Sequence, residues 1–307
     1  MRNLTTRDAL LHLYRSMTGT RPTPYFPAPY ESWEEAAAKS AAGPRCRLCS
    51  GQTVFAYRLR LLDKYEVDYF RCMDCESLQT QEPFWLQEAY GNAECQLDPG
   101  AVQRCLYNFG LTLIVGWLFQ CRRMLDYGGG AGLLCRLLRD RRKDAYSFDR
   151  YSSLGYATGF AGSPRETFDL VTAFEVIEHF SNPMLELKEI FEARPRVVLA
   201  TSELFTGQGP DWWYLAPTEG QHVFIFSEKA LHWTAARFGY QAVLARGFFL
   251  FSREKLGAIS RFALRHLIRS KLVRLVRIIA LARESPGVQH DLWELVTRRA
   301  GNSRANP

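Results

Sequence analysis

A glycine-dense loop follows a short apolar stretch near the middle of the chain. Asp126 ends that stretch, and glycines stand at positions 128, 129, 130 and 132 before an apolar helical pattern begins. Such glycines allow positive φ and let a ligand approach the backbone, while Asp126 can accept a hydrogen bond from a ligand ammonium. Leu133 stands where a dinucleotide loop has glycine, and no Gly-Lys-Ser/Thr sequence follows. A pyrophosphate ligand is therefore disfavoured, and the loop indicates another nucleotide-type cofactor.

Two further predicted strands end at acidic residues. Residues 145–148 predict a strand that leads into Asp149, about twenty residues beyond Gly128. In Rossmann-like folds this separation places a carboxylate beside ribose hydroxyls, so we expect Asp149 to bind a ribose. Residues 168–174 form a buried-strand pattern that ends at Phe174 and runs directly into Glu175.

The Asp-x-Gly-x-Gly-x-Gly loop and the sequence FDLV followed by EVIEH resemble the first and fourth motifs of class I S-adenosylmethionine-dependent methyltransferases. The resemblance covers roughly residues 105 to 252. It implies an α/β fold with a Rossmann-like seven-stranded sheet, methyl transfer as the activity and S-adenosylmethionine as the cofactor. The cofactor-binding residues that it implies are Asp126, Gly128, Gly130, Gly132, Asp149, Phe174 and Glu175.

The interval between Asp149 and Phe168 is short for this family, which usually fits a helix and a whole strand there. A compressed crossover is therefore expected. Glu166 is the only acid between these two positions, so no adenine contact is assigned to a carboxylate. Tyr151 can stack on the adenine ring instead.

Two Cys-x-x-Cys motifs upstream have the spacing of a four-thiolate zinc site. They are Cys46 with Cys49 and Cys72 with Cys75, and the residues between them predict two strands of a zinc ribbon. Four thiolates leave no position for a reacting water, so the predicted Zn²⁺ is structural. Disulfides are the alternative, but no secretory signal peptide is recognised. The other cysteines, Cys95, Cys105, Cys121 and Cys135, are interpreted as small apolar residues in a reducing cytoplasm.

The 307 residues with 47% hydrophobic content provide for one large α/β core and a small appended module. We expect an extended and helical segment over residues 1–42, a zinc ribbon over 43–100, the methyltransferase domain over 101–252, and basic amphipathic helices with a tail over 253–307. Residues 109–119 are apolar but too few to span a bilayer, and they predict a helix packed before the first sheet strand. We expect a cytoplasmic protein.

The net charge of +7 is concentrated in the carboxy-terminal region. The basic residues there are Arg253, Lys255, Arg261, Arg265, Arg269, Lys271, Arg274, Arg277 and Arg283. Amphipathic helices of this kind contact anionic membranes or nucleic acid, or they pack against the catalytic domain or a second subunit with a solvated basic face. All of these interpretations stay open. Acidic residues offset the arginines of the ribbon itself, which disfavours nucleic acid without excluding it.

An aromatic cluster, Trp212, Trp213 and Tyr214, precedes His222 in the segment that follows the predicted strand at 196–201. These rings suit a sugar or another flat acceptor, and the arrangement resembles a bacterial methyltransferase subgroup associated with polysaccharide, nucleotide-sugar or secondary-metabolite pathways. His222, with His179 as the second candidate, is the predicted catalytic base for methyl transfer to oxygen. The alternatives are an RNA methyltransferase that uses the basic helices, and a non-catalytic zinc-ribbon binding protein on a methyltransferase scaffold.

Overall fold

The computed structural model describes residues 43–91, 100–245, 247–267 and 270–304. The predicted segment 1–42, Cys95 and Arg269 lie outside the described residues. Two sheets and eight helices are present in the described part of the chain.

The first sheet holds the ribbon and is antiparallel. Its strands are β1 (Thr53–Leu61), β2 (Tyr65–Cys72), β3 (Leu78–Thr80) and β8 (Phe224–Ile225), and they pair in that spatial order. The hairpin of β1 and β2 agrees with the two strands predicted between the cysteine motifs. A short helix, α1 (Leu86–Gly91), follows β3.

The second sheet is the central sheet of the domain, with the spatial order β5-β4-β6-β7-β10-β9. Its strands are β4 (Arg123–Tyr127), β5 (Asp144–Phe148), β6 (Leu170–Phe174), β7 (Val197–Thr201), β9 (Gln241–Ala245) and β10 (Phe248–Ser252). The first four strands run parallel, while β10 is antiparallel to both β7 and β9. Alternation of strands and helices followed by a closing strand pair confirms the predicted α/β class.

The helices cover this sheet and carry the signals that the sequence predicts. They are α2 (Ala101–Leu118), α3 (Leu133–Asp140), α4 (Pro183–Glu192) and α5 (Glu228–Phe238), followed by α6 (Ala258–Leu267), α7 (Lys271–Ala282) and α8 (Pro286–Arg304). The Asn182 side chain caps α4 and the Ser227 side chain caps α5, while Gly239 ends α5 at φ +77°. The helix expected over 109–119 is the second half of α2.

The sheet has six strands among the described residues, one fewer than the seven that the family resemblance implies. Beyond β5, Ser147 makes a single parallel bridge to Ala161 at the position where a further strand would pair. Too few residues remain between β5 and β6 for both a full helix and a full strand. The compressed crossover expected from the sequence therefore pairs with the sheet through this one bridge and not through a full strand.

The ribbon and the domain share one hydrophobic core. Cys46, Leu48 and Cys72 are buried in the same cluster as Phe224 and Phe226 of the domain. Strand β8 joins the ribbon sheet by pairing Leu78 with Ile225, although its neighbours in sequence belong to the domain. The ribbon is thus built into the domain and is not suspended from it by a linker.

The sulfur atoms of the four ribbon cysteines lie close together. Their sulfur atoms all lie within 4.8 Å of one another, with Cys46 to Cys75 at 3.7 Å and Cys49 to Cys72 at 3.5 Å. A tetrahedron with Zn–S bonds of about 2.3 Å has sulfur atoms about 3.8 Å apart, whereas a disulfide joins them at about 2.0 Å. The cysteines are free thiols in this structure. The geometry fits a structural zinc ion and not a disulfide pair.

The carboxy-terminal region forms three helices, of which α6 and α7 lie within the basic stretch 253–283 and α8 follows it. Helix α7 packs on α2, where a Cβ atom at Gly110 would lie only 2.7 Å from the carbonyl oxygen of Val273. Helix α8 packs on α3, where the buried Arg139 guanidinium donates to both carboxylate oxygens of Asp291. The interpretation that these helices pack against the domain is therefore correct for one face of the region.

No helix in the described parts of the chain combines the length and the apolar character needed to cross a bilayer.

Zinc loading tests the ribbon. Purified protein should contain about one zinc ion per chain by elemental analysis, and Cys72→Ser should release it. Zinc binding stabilises the folded ribbon, so loss of the metal in this variant should lower the melting temperature. Cys105→Ser, which changes a half-buried thiol of α2, is the matched control and should keep the zinc. Protein without metal whose four ribbon thiols resist alkylation until reduced would contradict the assignment.

Candidate active site

The glycine loop joins β4 to α3 and opens toward solvent on one side. Gly128, Gly130 and Gly132 have φ values of +69°, +55° and +82°, a region that favours glycine. A Cβ atom at Gly128 would lie 2.5 Å from the Val176 side chain, whereas a Cβ atom at Gly130 would meet nothing within 4 Å. The loop is therefore packed against the domain at Gly128 and leaves room for a ligand at Gly130.

Two carboxylates lie beneath and beside this loop. Asp126, at the end of β4, is buried and accepts a hydrogen bond of 2.8 Å from the hydroxyl of Thr172. Burial raises its pKa to about 7, because the charged form loses hydration. A ligand ammonium beside Asp126 would favour the charged form again. This carboxylate thus fits the amino acid end of S-adenosylmethionine.

Asp149 joins the glycine loop to the turn after β5. One carboxylate oxygen accepts from the amide of Gly130 at 2.9 Å, and the other accepts from the amides of Tyr151 and Ser152 at 2.8 Å. These bonds fix the side chain at the edge of the space beside Gly130. A carboxylate held in this position fits the predicted ribose contact, since each oxygen can accept more than one hydrogen bond.

The end of β6 carries the other two predicted cofactor residues. Phe174 is the last residue of β6 and is half-buried. Glu175 has φ +55°, which is rare for a residue with a side chain, and its amide donates to the carbonyl and hydroxyl of Thr201. Strain of this kind is held in place by its surroundings and is concentrated at functional sites. Phe174 and Glu175 therefore stand at the carboxyl edge of the parallel strands, where ligands bind in such sheets.

Beyond this edge, Glu178, His179 and His222 form a polar cluster. One ligand atom from each of the three lies within 4.8 Å of the others, and the two imidazole rings are 4.9 Å apart. The structure thus brings together both of the predicted catalytic histidines. Burial lowers the pKa of His222 to about 4 and lowers that of His179 well below its usual value, so both rings are neutral at pH 7.

Each histidine uses one ring nitrogen for support. The Nδ1 of His222 lies 2.5 Å from the carbonyl oxygen of Tyr214, and the Nδ1 of His179 lies 3.0 Å from the hydroxyl of Tyr90. Because a carbonyl only accepts, Nδ1 of His222 carries the proton and its Nε2 keeps a free lone pair. The structure therefore presents the Nε2 atom of His222 as a proton acceptor or a metal ligand.

Glu178 is fully buried with one oxygen in use. Its Oε1 accepts a hydrogen bond of 2.6 Å from the hydroxyl of Tyr214. The same tyrosine hydroxyl lies 3.1 Å from the hydroxyl of Ser202. The Oε2 of Glu178 has no hydrogen-bond partner. Burial raises the pKa of Glu178, with a further contribution from the nearby Glu175. An unpaired buried carboxylate oxygen is costly, so this atom marks a position for a proton, an acceptor hydroxyl or a cation.

The predicted acceptor-binding aromatics occupy different positions. Tyr214 is buried and supports Glu178, so its ring lies behind the cluster. Trp212 packs at a ring separation of 5.4 Å from Tyr214, while Trp213 is 42% exposed. Of the three, Trp213 is the most exposed.

Tyr90 and Tyr151 stack on each other near the cluster, with ring centres 3.9 Å apart and planes 5° from parallel. Tyr90 belongs to α1 and also contacts His179, so α1 reaches the site directly. Tyr151, expected to stack on adenine, is stacked on Tyr90 here. Glu166 forms an ion pair of 2.6 Å with Arg123 at the opposite end of the sheet, consistent with its omission as an adenine ligand.

Comparison with known proteins agrees with this geometry. Residues 102–245 match the family model described as a methyltransferase domain. These residues form a class I S-adenosylmethionine-dependent methyltransferase domain. A search of curated proteins gave no significant match. The methyltransferase fold, the acidic residue below the glycine loop and the open space at Gly130 all fit S-adenosylmethionine as cofactor.

Solved structures with a similar arrangement are remote in sequence. The methyltransferase domain of bacterial CtHen1 is 22% identical, with 48% of this chain and 97% of that chain covered and a TM-score of 0.38. TnmH is 21% identical, with 56% and 62% covered and a TM-score of 0.42. Magnesium protoporphyrin IX methyltransferase from Synechocystis PCC 6803, with bound SAH, is 12% identical, with 55% and 93% covered and a TM-score of 0.35.

Several residues of the site are not evident from the sequence. Tyr90 has no motif of its own. Thr172 in the middle of β6 and Ser202 directly after β7 are ordinary polar residues. Glu178 belongs to the EVIEH motif, but its hydrogen bond with Tyr214 is evident only in the folded chain. Long-range contacts, not local pattern, bring these residues to the site.

Cofactor binding tests the glycine loop. S-Adenosylhomocysteine should bind in calorimetry and raise the melting temperature, because a ligand that binds the folded state stabilises it. Gly130→Arg should abolish both effects by filling the open space beside the loop. Gly239→Arg is the matched control, since Gly239 also has positive φ and open surroundings but ends α5. Tight NAD binding with no response to either S-adenosyl compound would contradict the methyltransferase assignment.

Proposed function

We propose that this methyltransferase acts on a small hydroxyl-bearing acceptor of the sugar, nucleotide-sugar or secondary-metabolite class. The observation that carries the proposal is the cluster of Glu178, His179 and His222 at the carboxyl edge of the sheet, with free acceptor atoms and with the exposed Trp213 nearby in sequence. A sugar-like acceptor offers hydroxyl groups to such a cluster and a flat apolar face to an indole ring.

Methyl transfer to oxygen requires loss of one proton and an in-line approach to the methyl group. The cofactor supplies that methyl group on a positively charged sulfur. In the proposed mechanism, Nε2 of His222 takes the acceptor proton while the Tyr214 carbonyl holds the ring orientation. His179 and Glu178 line the same cluster and position the acceptor. Burial keeps both imidazoles neutral, so their lone pairs are available at pH 7.

A second role for the same three residues is favoured by the unpaired Oε2 of Glu178. Two neutral imidazoles and one carboxylate are a ligand set for divalent transition metals. Metal-bound histidines usually donate their other nitrogen to a carbonyl or similar group, as His222 does to Tyr214. In this alternative a divalent cation would orient the acceptor oxygen and favour its deprotonated form, and the histidine lone pairs would bind the cation and not the proton.

Acceptor identity is tested by incubating the full chain with methyl-labelled cofactor and either a metabolite extract or total RNA. Label should enter small molecules. Label in RNA alone would favour the alternative RNA methyltransferase, and no labelled product from any acceptor would leave the non-catalytic alternative.

The role of the histidines is tested by turnover once an acceptor is known. His222→Ala should lower kcat about a hundredfold or more and leave the affinity for S-adenosylhomocysteine nearly unchanged. Trp213→Ala should mainly raise the acceptor KM, because it removes binding shared by ground and transition states. His232→Ala, at an exposed position of α5, is the control and should change neither.

Other outcomes reassign the chemistry. Loss of turnover in His179→Ala with full activity in His222→Ala would move the base to His179. Full activity in both variants would mean that holding the acceptor next to the methyl group is sufficient for the reaction. To distinguish proton transfer from metal binding, Mn²⁺ titration followed by electron paramagnetic resonance should show no tight site if His222 is a base. A site that is lost in His222→Ala, with the ribbon zinc retained, would favour the metal alternative.

A further inference from the structure

The outer face of α6 and α7 is both apolar and basic. Residues 258–282 contain six Lys and Arg residues and no Asp or Glu. On α7, Val273 and Ala280 are buried against the domain, whereas Leu272, Leu275 and Ile279 are exposed. Leucine and isoleucine on the solvent side of a helix indicate that the face has a further partner.

The apolar surface continues across the neighbouring helix. A groove of about 320 Å³ lies between α2 and α7, and its lining is almost entirely apolar. Trp117 and Leu118 of α2 line it together with Leu272 of α7, and Trp117 is 76% exposed. On α6, Ile259 and Phe262 are 86% and 65% exposed. We use the name α6–α7 face for the surface formed by Trp117, Leu118, Ile259 and Phe262 together with the exposed residues of α7.

Among the described residues, no carboxylate forms an ion pair with the exposed cations of this face. Arg261, Arg265, Lys271 and Arg274 are exposed, and none forms an ion pair in the described part of the chain. Elsewhere many surface cations do pair, as Lys188 does with Glu192 on α4. The cations of the α6–α7 face are therefore available to an anionic partner.

We propose that the α6–α7 face binds an anionic membrane surface peripherally. Basic residues beside exposed large apolar side chains are the pattern of helices that lie in the lipid headgroup region, where the apolar residues insert and the cations meet phosphates. RNA would satisfy the cations but would leave the leucines and isoleucines in water. A second copy would place two stripes of like charge together. This proposal is independent of the acceptor and of the histidine chemistry.

Vesicle sedimentation with the full chain tests the proposal. The protein should sediment with mixed phosphatidylcholine and phosphatidylglycerol vesicles and not with phosphatidylcholine alone, and added salt should weaken binding. The double variant Arg274→Glu with Leu275→Ser should reduce the partition coefficient about tenfold or more, because both the attraction and the insertion are removed. Trp117 fluorescence offers a second readout through Trp117→Phe, which should remove most of the lipid-induced spectral shift.

The matched control makes the equivalent charge reversal and Leu→Ser change on α4, with Lys188→Glu and Leu185→Ser, and should bind vesicles as the unchanged protein does. Melting temperatures verify that both double variants are folded. Equal binding to neutral vesicles, no binding, or equal loss in the α4 control would overturn the proposal. So would a dimer in sedimentation velocity that only the α7 double variant disrupts, or RNA binding that the variant loses while vesicles never bind.

Discussion

Strand β8 is the structural element on which the site depends. It pairs with β3 in the ribbon sheet, and only Val223 separates it from His222. Val223 donates its amide to the carbonyl of Glu178, while its own carbonyl accepts from the amide of Thr80 and from the Arg47 guanidinium. One residue thus connects the cysteine ribbon, the carboxylate and the histidine. The ribbon therefore holds the backbone of Val223, which is adjacent to His222, and so helps to set the position of that histidine.

Further contacts tie the ribbon to the methyltransferase domain. Ser227 caps α5 and its hydroxyl donates to the carbonyl of Cys75, so the domain helix also begins at the ribbon. Tyr90 of α1 holds His179 from the other side. The ribbon side of the molecule therefore supplies supporting contacts to both histidines, while the central sheet supplies the glycine loop and its two carboxylates.

The cofactor half of the site could be predicted from the sequence because its signals are local. The glycine loop and Asp149 are recognised from short spacings along the chain, and a strand followed by a turn is enough to place them. The same is true of the cysteine motifs in the ribbon. The acceptor half depends on contacts between distant segments, such as Thr80 with Val223 and Tyr90 with His179, which no local pattern encodes. Tyr214 shows the difference: an aromatic residue in a motif-like cluster was expected at the acceptor, and it is buried beneath Glu178. The sheet has six strands among the described residues where seven were expected, and the short interval between Asp149 and Phe168 predicted only a compressed crossover.

The contact of Arg139 with Asp291 has a consequence for how the protein unfolds. The guanidinium is buried at the last turn of α3, stacked 3.4 Å above the Phe160 ring, and its carboxylate partner lies 152 residues further along the chain. A buried cation without its partner costs roughly 3–5 kcal/mol. Detaching α8 would remove the main carboxylate partner of this charge, so we expect α8 and the methyltransferase domain to unfold together as one cooperative unit.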